Sequence, residues 1–170
     1  MNDSAVLNAA TTVSFSGNSN SFIYFSSMAD KITTQKRSEV MSKIRSKNTK
    51  PEHLVRRYLF GLGLRFRIHK KDLPGRPDIA LPKFRTIIFI NGCFWHGHVN
   101  CKYFNMPKTH KEYWVPKIKN NISKDIIAKR ELRRLGWKVF TVWECQLKGN
   151  KMDKTLTALA SKILNQSTAR

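Results

Sequence analysis

No Lys or Arg occurs before Lys31. A secretory leader needs a basic segment ahead of its apolar stretch, so "MNDSAVLNAATTVSFSGNSNSFIYFSS" does not read as one. Its Ser, Asn and Thr content reads as a disordered tail over residues 1–30. Met28 opens "MADKITTQKR", which reads as a natural start, making the first 27 residues an extension or a dispensable tail. No apolar run approaches the roughly 18 residues of a membrane span. Internal repeats are absent. Cysteine is scarce: three residues cannot all pair within one chain, and their placement near histidines suggests metal in a reducing cytoplasm rather than disulfides. Acidic residues are scarcest of all relative to their counterparts, 11 against 32 Lys and Arg, for a formal charge of +21. That excess is beyond what solubility requires and implies a polyanionic partner. Aromatic residues, 11% of the chain, lie among the bases and favour nucleic acid over a membrane surface.

What is present has the length and pattern of one α/β (α+β) domain. "KRSEVMSKIRSK" (Lys36–Lys47) reads as a solvated helix or as an arm that orders on DNA. In "NTKPEHLVRRYLFGLGLRF", Thr49 is an N-cap, Pro51 suits a first turn and Glu52 completes a capping box. Leu54, Val55, Tyr58 and Leu59 form the apolar face, and Gly61 or Gly63 ends the helix. Three strand-like segments follow: Leu64–Lys70, which alternates; the short Pro77–Leu81; and Arg85–Asn91, a continuous β-branched and aromatic run typical of a buried strand. A helical stretch then runs to Gly136, with Pro116 either breaking it or opening a new first turn. Trp137–Trp143 reads as a second buried strand and Lys154–Leu164 as a closing helix. The order α, β, β, β, α, β, α predicts one mixed sheet flanked by helices.

"FINGCFWHGHVNCKYF" (Phe89–Phe104) concentrates the chemistry. Cys93, His98 and Cys101, with Cys145 beyond the last strand, supply the four N/S ligands of a closed structural zinc site. Such a site leaves no position for substrate; three unrelated cysteines are the plainer alternative. Asp78 opens a strand after a Gly-Arg-Pro turn and suits a hard cation such as magnesium. His96 remains once the thiol-rich set is assigned, Asn91 ends the central strand, and Glu52 approaches from the first helix. Phosphodiester hydrolysis needs a metal to polarise phosphate and a base to activate water. Asp78 and His96 supply one of each, although a turn-capping Asp and a solvated His are equally ordinary uses of such residues.

Taken in order, "RSEVMSKIRSKNTKPE", "LPGRPD", "FINGCFWHGHVNC", "KEYWVPKI" and "GWKVFTVWEC" resemble the Vsr very-short-patch-repair DNA mismatch endonucleases over roughly residues 37–148. The resemblance implies a restriction-endonuclease-like domain over 31–165, with 31–48 as a DNA-binding arm and 166–170 as a tail. It implies a bacterial, cytoplasmic and monomeric enzyme that nicks double-stranded DNA 5′ of the T in a T·G mismatch left by deamination of 5-methylcytosine. By the same resemblance Asp78 and the backbone carbonyl of Ile90 hold Mg²⁺, His96 assists hydrolysis and Glu52 lies near the site. Cys93, His98, Cys101 and Cys145 hold structural Zn²⁺; the stretch before Cys101 is one residue longer than in the best-known member, which bears on the choice of His98. Phe94, Trp95 and Trp114 form a wedge entering the base stack, Met41 enters from the opposite groove, and Lys117 and Asn121 contact the mismatched bases. Asn91 departs from the pattern, replacing a second catalytic histidine; an amide positions groups but is no general base. A partner of the MutL kind is implied by the family and by no residue here. Two other readings stay open: a restriction-like or mobile-element endonuclease without mismatch preference, and a non-catalytic zinc-stapled DNA-binding module.

Overall fold

The computed structural model describes residues 47–165, together with Gln35 and Glu39. The arm helix expected over Lys36–Lys47, and Met41 within it, lies outside the described residues apart from Glu39 and Lys47. The chain divides into two compact units, Met1–Ile44 and Arg45–Arg170; the second carries the elements below.

Helix α1 (Lys50–Gly61) starts as its sequence dictates. Thr49 Oγ1 accepts the Glu52 N–H, and the Glu52 carboxylate accepts the Thr49 N–H at 3.2 Å. Each satisfies an amide that the first helical turn would otherwise leave unpaired. Val55 and Leu59 on its inner face are fully buried. Strands β1 (Ile79–Leu81), β2 (Thr86–Asn91) and β3 (Lys138–Trp143) form a sheet of order β1-β2-β3, β1 antiparallel and β3 parallel to the central strand. The crossover between the parallel pair is helix α2 (Lys111–Arg134), and helix α3 (Lys151–Leu164) closes the fold. Two apolar clusters sandwich the sheet. One joins Val55, Leu59, Ile79, Ile88 and Val142 to Leu156, Leu159 and Ile163 of α3. The other joins Ala80, Ile87 and Phe89 to Leu132 of α2. Alternate residues of β2 thus face opposite layers, as strand geometry requires, and a continuous apolar run is what a strand covered on both faces needs. The α+β class and mixed sheet are as the sequence predicts.

Two elements differ from expectation. Leu64–Lys70 is not a strand; it makes a single antiparallel bridge, Arg67 to Ala80, with both N···O distances 2.8 Å. The alternation ends at Ile68, which is about half exposed, and His69 turns the chain at φ 47°. Pro116 neither breaks α2 nor begins it: the helix starts at Lys111 and runs through. The proline falls in the second turn, where the amide it lacks would have served the carbonyl of exposed Glu112, which water reaches instead. Gly136 does end α2, at φ 76° one residue past the C-cap Leu135. Among the described residues no helix is long and apolar enough to cross a membrane.

Candidate active site and thiol cluster

The C-terminal end of β2 is where the chemistry collects. Lys138 N–H bonds to the carbonyl of Arg85, so Ile87, Phe89 and Asn91 direct their backbone groups at β3 while Ile88 and Ile90 direct theirs at β1. Continuing the β1–β2 register by two residues sets Ile90 opposite Pro77, which has no N–H to give. The Ile90 N–H donates to Asp78 Oδ2 at 2.7 Å, and its carbonyl has no ladder donor from Pro77. The Asp78 carboxylate and the Ile90 peptide thus lie side by side at the strand end. Burial pushes the Asp78 carboxyl up to about 6, against the opposing effect of the Ile90 N–H; Glu52 pushes it up further, and the Arg56 and His96 charges pull it down. A carboxyl that is costly to ionise and lies beside the Ile90 peptide offers the oxygen donors that hard cations take.

Glu52 approaches from α1. Its carboxylate both caps the helix and lies within 4.8 Å of Asp78 and of His69, a residue on which the sequence reading placed no weight. Arg56 binds Glu52 Oε2 at 2.5 Å and contacts His69 Nε2 at 3.1 Å. Burial, followed by the Arg56 charge, lowers the His69 pKa from its ordinary value, which favours the neutral ring as hydrogen-bond acceptor.

His96 has a partner that the sequence reading missed. Its Nδ1 lies 2.6 Å from Asp125 Oδ2 on α2. The carboxylate selects the tautomer with the proton on Nδ1 and leaves Nε2 as the basic nitrogen. Asn91, 2% exposed, donates its amide to the same Asp125 oxygen at 2.9 Å. The Asn91 amide thus steadies the carboxylate that orients His96. A signal for Asp125 was in the spacing, since it follows Asn121 by four residues and shares its helix face.

Four ligand atoms of Cys93, His98, Cys101 and Cys145 lie within 4.8 Å of one another. His98 Nδ1 is 3.5 Å from Cys93 Sγ and 3.4 Å from Cys145 Sγ. A tetrahedral zinc with bonds of about 2.3 Å to sulfur and 2.0–2.1 Å to nitrogen separates such atoms by about 3.5 Å, so the donor set fits that ion. Parallel pairing of β2 and β3 explains the meeting: Cys93 and Cys145 each follow the same end of adjacent strands, two residues past Asn91 and Trp143. The Trp143 ring stacks on His98 at 4.0 Å and 1°. Burial pushes the Cys93 thiol up to about 12, so its thiolate form needs a nearby cation.

Between Cys93 and His96 stand Phe94 and Trp95. Phe94 packs edge-on against Trp95 and Trp114, with centroids 5.2 and 5.3 Å apart, and Trp95 lies 5.9 Å from Trp114. All three are half-buried. Asn121 donates to the Trp95 carbonyl at 2.9 Å, tying the turn to α2, while Lys117 is exposed on the helix. Gly97, at φ 59°, presses the turn against α2: a Cβ there would lie 2.6 Å from Ile122 Cδ1.

A strand-end carboxylate, an imidazole oriented by a second carboxylate and an excess of basic residues define the class, a nucleic-acid hydrolase. Comparison with known proteins gives the family. The family description "DNA mismatch endonuclease Vsr" matches residues 29–102. A type II nicking enzyme of Xanthomonas oryzae is 46% identical over 138 residues, covering 81% of this chain and 96% of that protein. The DNA mismatch endonuclease Vsr of Escherichia coli is 41% identical over 132 residues, covering 76% and 84%. A homing endonuclease catalytic domain, 20% identical, superposes with a TM-score of 0.47 over 70% of this chain and 98% of its own. The chain belongs to the Vsr DNA mismatch endonuclease family and is a DNA-cleaving hydrolase.

Proposed function

We propose that the enzyme nicks one strand of a duplex on the 5′ side of the T in a T·G mismatch, the first step of very short patch repair. The observation that carries this reading is the adjacency of Trp95 and His96: a single turn holds the aromatic group suited to parting bases and the imidazole paired to Asp125. Bond breaking and mismatch sensing then occur one nucleotide step apart. Phe94, Trp95 and Trp114 enter the stack, and a wobble pair resists this less than a matched pair. Lys117 and Asn121 read the mismatched bases; for Asn121 this requires giving up the Trp95 carbonyl on binding. Met41 enters from the other groove.

Asp78 and the Ile90 carbonyl are the groups that would hold a Mg²⁺ ion, which when bound supplies charge against the phosphate oxygens. His96 Nε2 takes a proton from water as its oxygen bonds to phosphorus. The bond from phosphorus to the 3′ oxygen breaks and that oxygen takes a proton from solvent, leaving a 3′-hydroxyl and a 5′-phosphate. Asp125 steadies the imidazolium, and Asn91 steadies Asp125. Cys93, His98, Cys101 and Cys145 are the residues that would hold Zn²⁺, which would brace the aromatic turn and leave no position open to substrate. The enzyme acts as a cytoplasmic monomer, and a MutL-type protein is its candidate partner by family analogy. End-labelled duplexes differing only in T·G or T·A at one position test this: a single nick 5′ of the mismatched T is expected. Equal cutting of both duplexes, or of both strands, would leave a restriction-like nuclease in its place.

A further inference from the structure

The His98 ring meets the thiol cluster through one nitrogen. Its Nδ1 lies 3.5 Å from Cys93 Sγ and 3.4 Å from Cys145 Sγ, so Nδ1 and not Nε2 faces the sulfurs. Either ring nitrogen can bind a metal, and the choice is ordinarily set by a hydrogen bond that the other nitrogen gives to a carboxylate or carbonyl. Among the described residues, His98 Nε2 has no such acceptor; the ring's hydrogen-bond contacts are the two thiols at Nδ1. A flat surface stands in its place. The Trp143 indole lies face to face on the imidazole, with 4.0 Å between centroids and 1° between planes. The indole is carried on a fixed backbone. Trp143 ends β3 opposite Asn91 in the parallel register, and its N–H donates to Gln146 Oε1 at 2.9 Å. The 3₁₀ turn that begins there, Glu144–Leu147, carries Cys145. One strand end thus delivers both a thiol and the surface on which the histidine lies.

We infer that Trp143 is the positioning residue of the thiol cluster: its indole, in place of a hydrogen bond, holds the His98 ring with Nδ1 toward Cys93 and Cys145. A stack fixes the plane of a ring and leaves it two orientations, related by a half-turn about the Cβ–Cγ bond. One presents Nδ1 to the sulfurs and the other presents Cδ2, which is no ligand, so a bound cation selects the first. Presenting Nε2 would take the ring off the indole. A leucine at position 143 would fill much of the same space but offers no flat face. Phe94, Trp95 and His96 belong to the same turn as His98, so a ring left free at His98 loosens the residues that part the bases and take the proton.

This inference rests on the assignment of the cluster to zinc, and the experiment keeps the two apart. Purified full-length protein is loaded with Zn²⁺. Long-range proton–nitrogen NMR correlation identifies the His98 nitrogen that binds the ion, and competition with a chromophoric chelator gives the affinity. The wild type should show Nδ1 bound and Nε2 protonated. Trp143→Leu should hold zinc about 10–100 times less tightly, the usual cost of losing a group that orients a ligand, with His98 bound through Nε2 or unbound. Trp143→Phe keeps a flat face and should keep both the Nδ1 signature and nearly the wild-type affinity. A wild type bound through Nε2, or a folded Trp143→Leu with wild-type affinity and Nδ1 ligation, would overturn the inference. Should Trp143→Leu fail to fold, the wild type and Trp143→Phe still decide, since Nε2 ligation in either, or weak binding in Trp143→Phe, overturns it. A folded wild type that takes up no zinc would instead remove the assignment of the cluster to that ion.

Discussion

Asp78 carries opposed demands that a pair of measurements would expose. Its carboxyl is pushed up to about 6 by burial, and only its ionised form would hold a cation. Nicking should therefore fall about tenfold per pH unit below about pH 6, and the limb should move to lower pH as Mg²⁺ is raised, because the ion competes with the proton. Stability runs the other way. A carboxyl whose pKa in the fold lies above its unfolded value favours the fold when protonated, and that contribution is lost as pH rises through 6. Asp78→Asn should thus abolish nicking, retain DNA binding and melt higher than the wild type, by a margin that grows between pH 4 and 7. A thermal melt across pH, beside a nicking assay, checks both. His96→Ala should slow nicking by about a hundredfold or more. Asp125→Asn should also slow it, because the amide does not enforce the proton on Nδ1; a shifted pH profile in that variant distinguishes lost orientation from lost folding. The Thr49–Glu52 cap was legible from sequence because its residues are three apart. His69 was not legible as a site residue, because its partner lies 17 positions away, and Asp125 was legible only as a face-mate of Asn121, since His96 lies 29 positions away; only Arg56–Glu52 falls at a local spacing. That pair reads from sequence as an ordinary surface ion pair on a helix.

At the scale of elements, α2 organises the site more than the sheet does. Its one face receives the Gly75 turn through Ala128, the Gly97 turn through Ile122, and His96 through Asp125. Gly97→Ala should be harmful twice over. The left-handed backbone costs a non-glycine residue about 1–2 kcal/mol, and the added Cβ meets Ile122 at 2.6 Å. The expected outcome is a lower melting temperature and a larger proportional loss of discrimination between T·G and T·A than of DNA affinity. Trp95→Ala should show the same loss of discrimination without the loss of stability, and competition nicking of the two duplexes measures it. The helices and the buried strands were readable from periodicity and caps. Leu64–Lys70 was misread because alternation records which side chains face inward, not whether a neighbouring backbone is there to pair. Pro116 was misread because helix disruption by proline depends on whether the abandoned carbonyl meets solvent, which sequence does not reveal.

For the whole molecule, charge and thiols set the expected behaviour. With 32 basic residues against 11 acidic ones, DNA affinity should fall steeply and linearly on logarithmic axes as salt rises, while the preference for a mismatch, which depends on stacking, should change little. The purified protein should contain one zinc by elemental analysis, and Cys145→Ser should lose both zinc and solubility, since binding of the ion is folding free energy. Well-folded protein free of zinc would exclude this. The overall class and the presence of four N/S donors were evident from composition and spacing. That His98 sits between Cys93 and Cys145 was not, because it follows from the parallel alignment of strands separated by a whole helix.

That alignment has a kinetic consequence. Asn91 and Trp143 are neighbours across β2 and β3 though distant along the chain, and parallel pairs form late because a long loop must close first. The donor atoms of Cys145 and of Cys93 cannot meet until this closure is complete. Capture of a metal ion by the cluster is then a timer for folding: it should lag behind the appearance of helix, and its rate should report the arrival of β3 rather than the concentration of the ion.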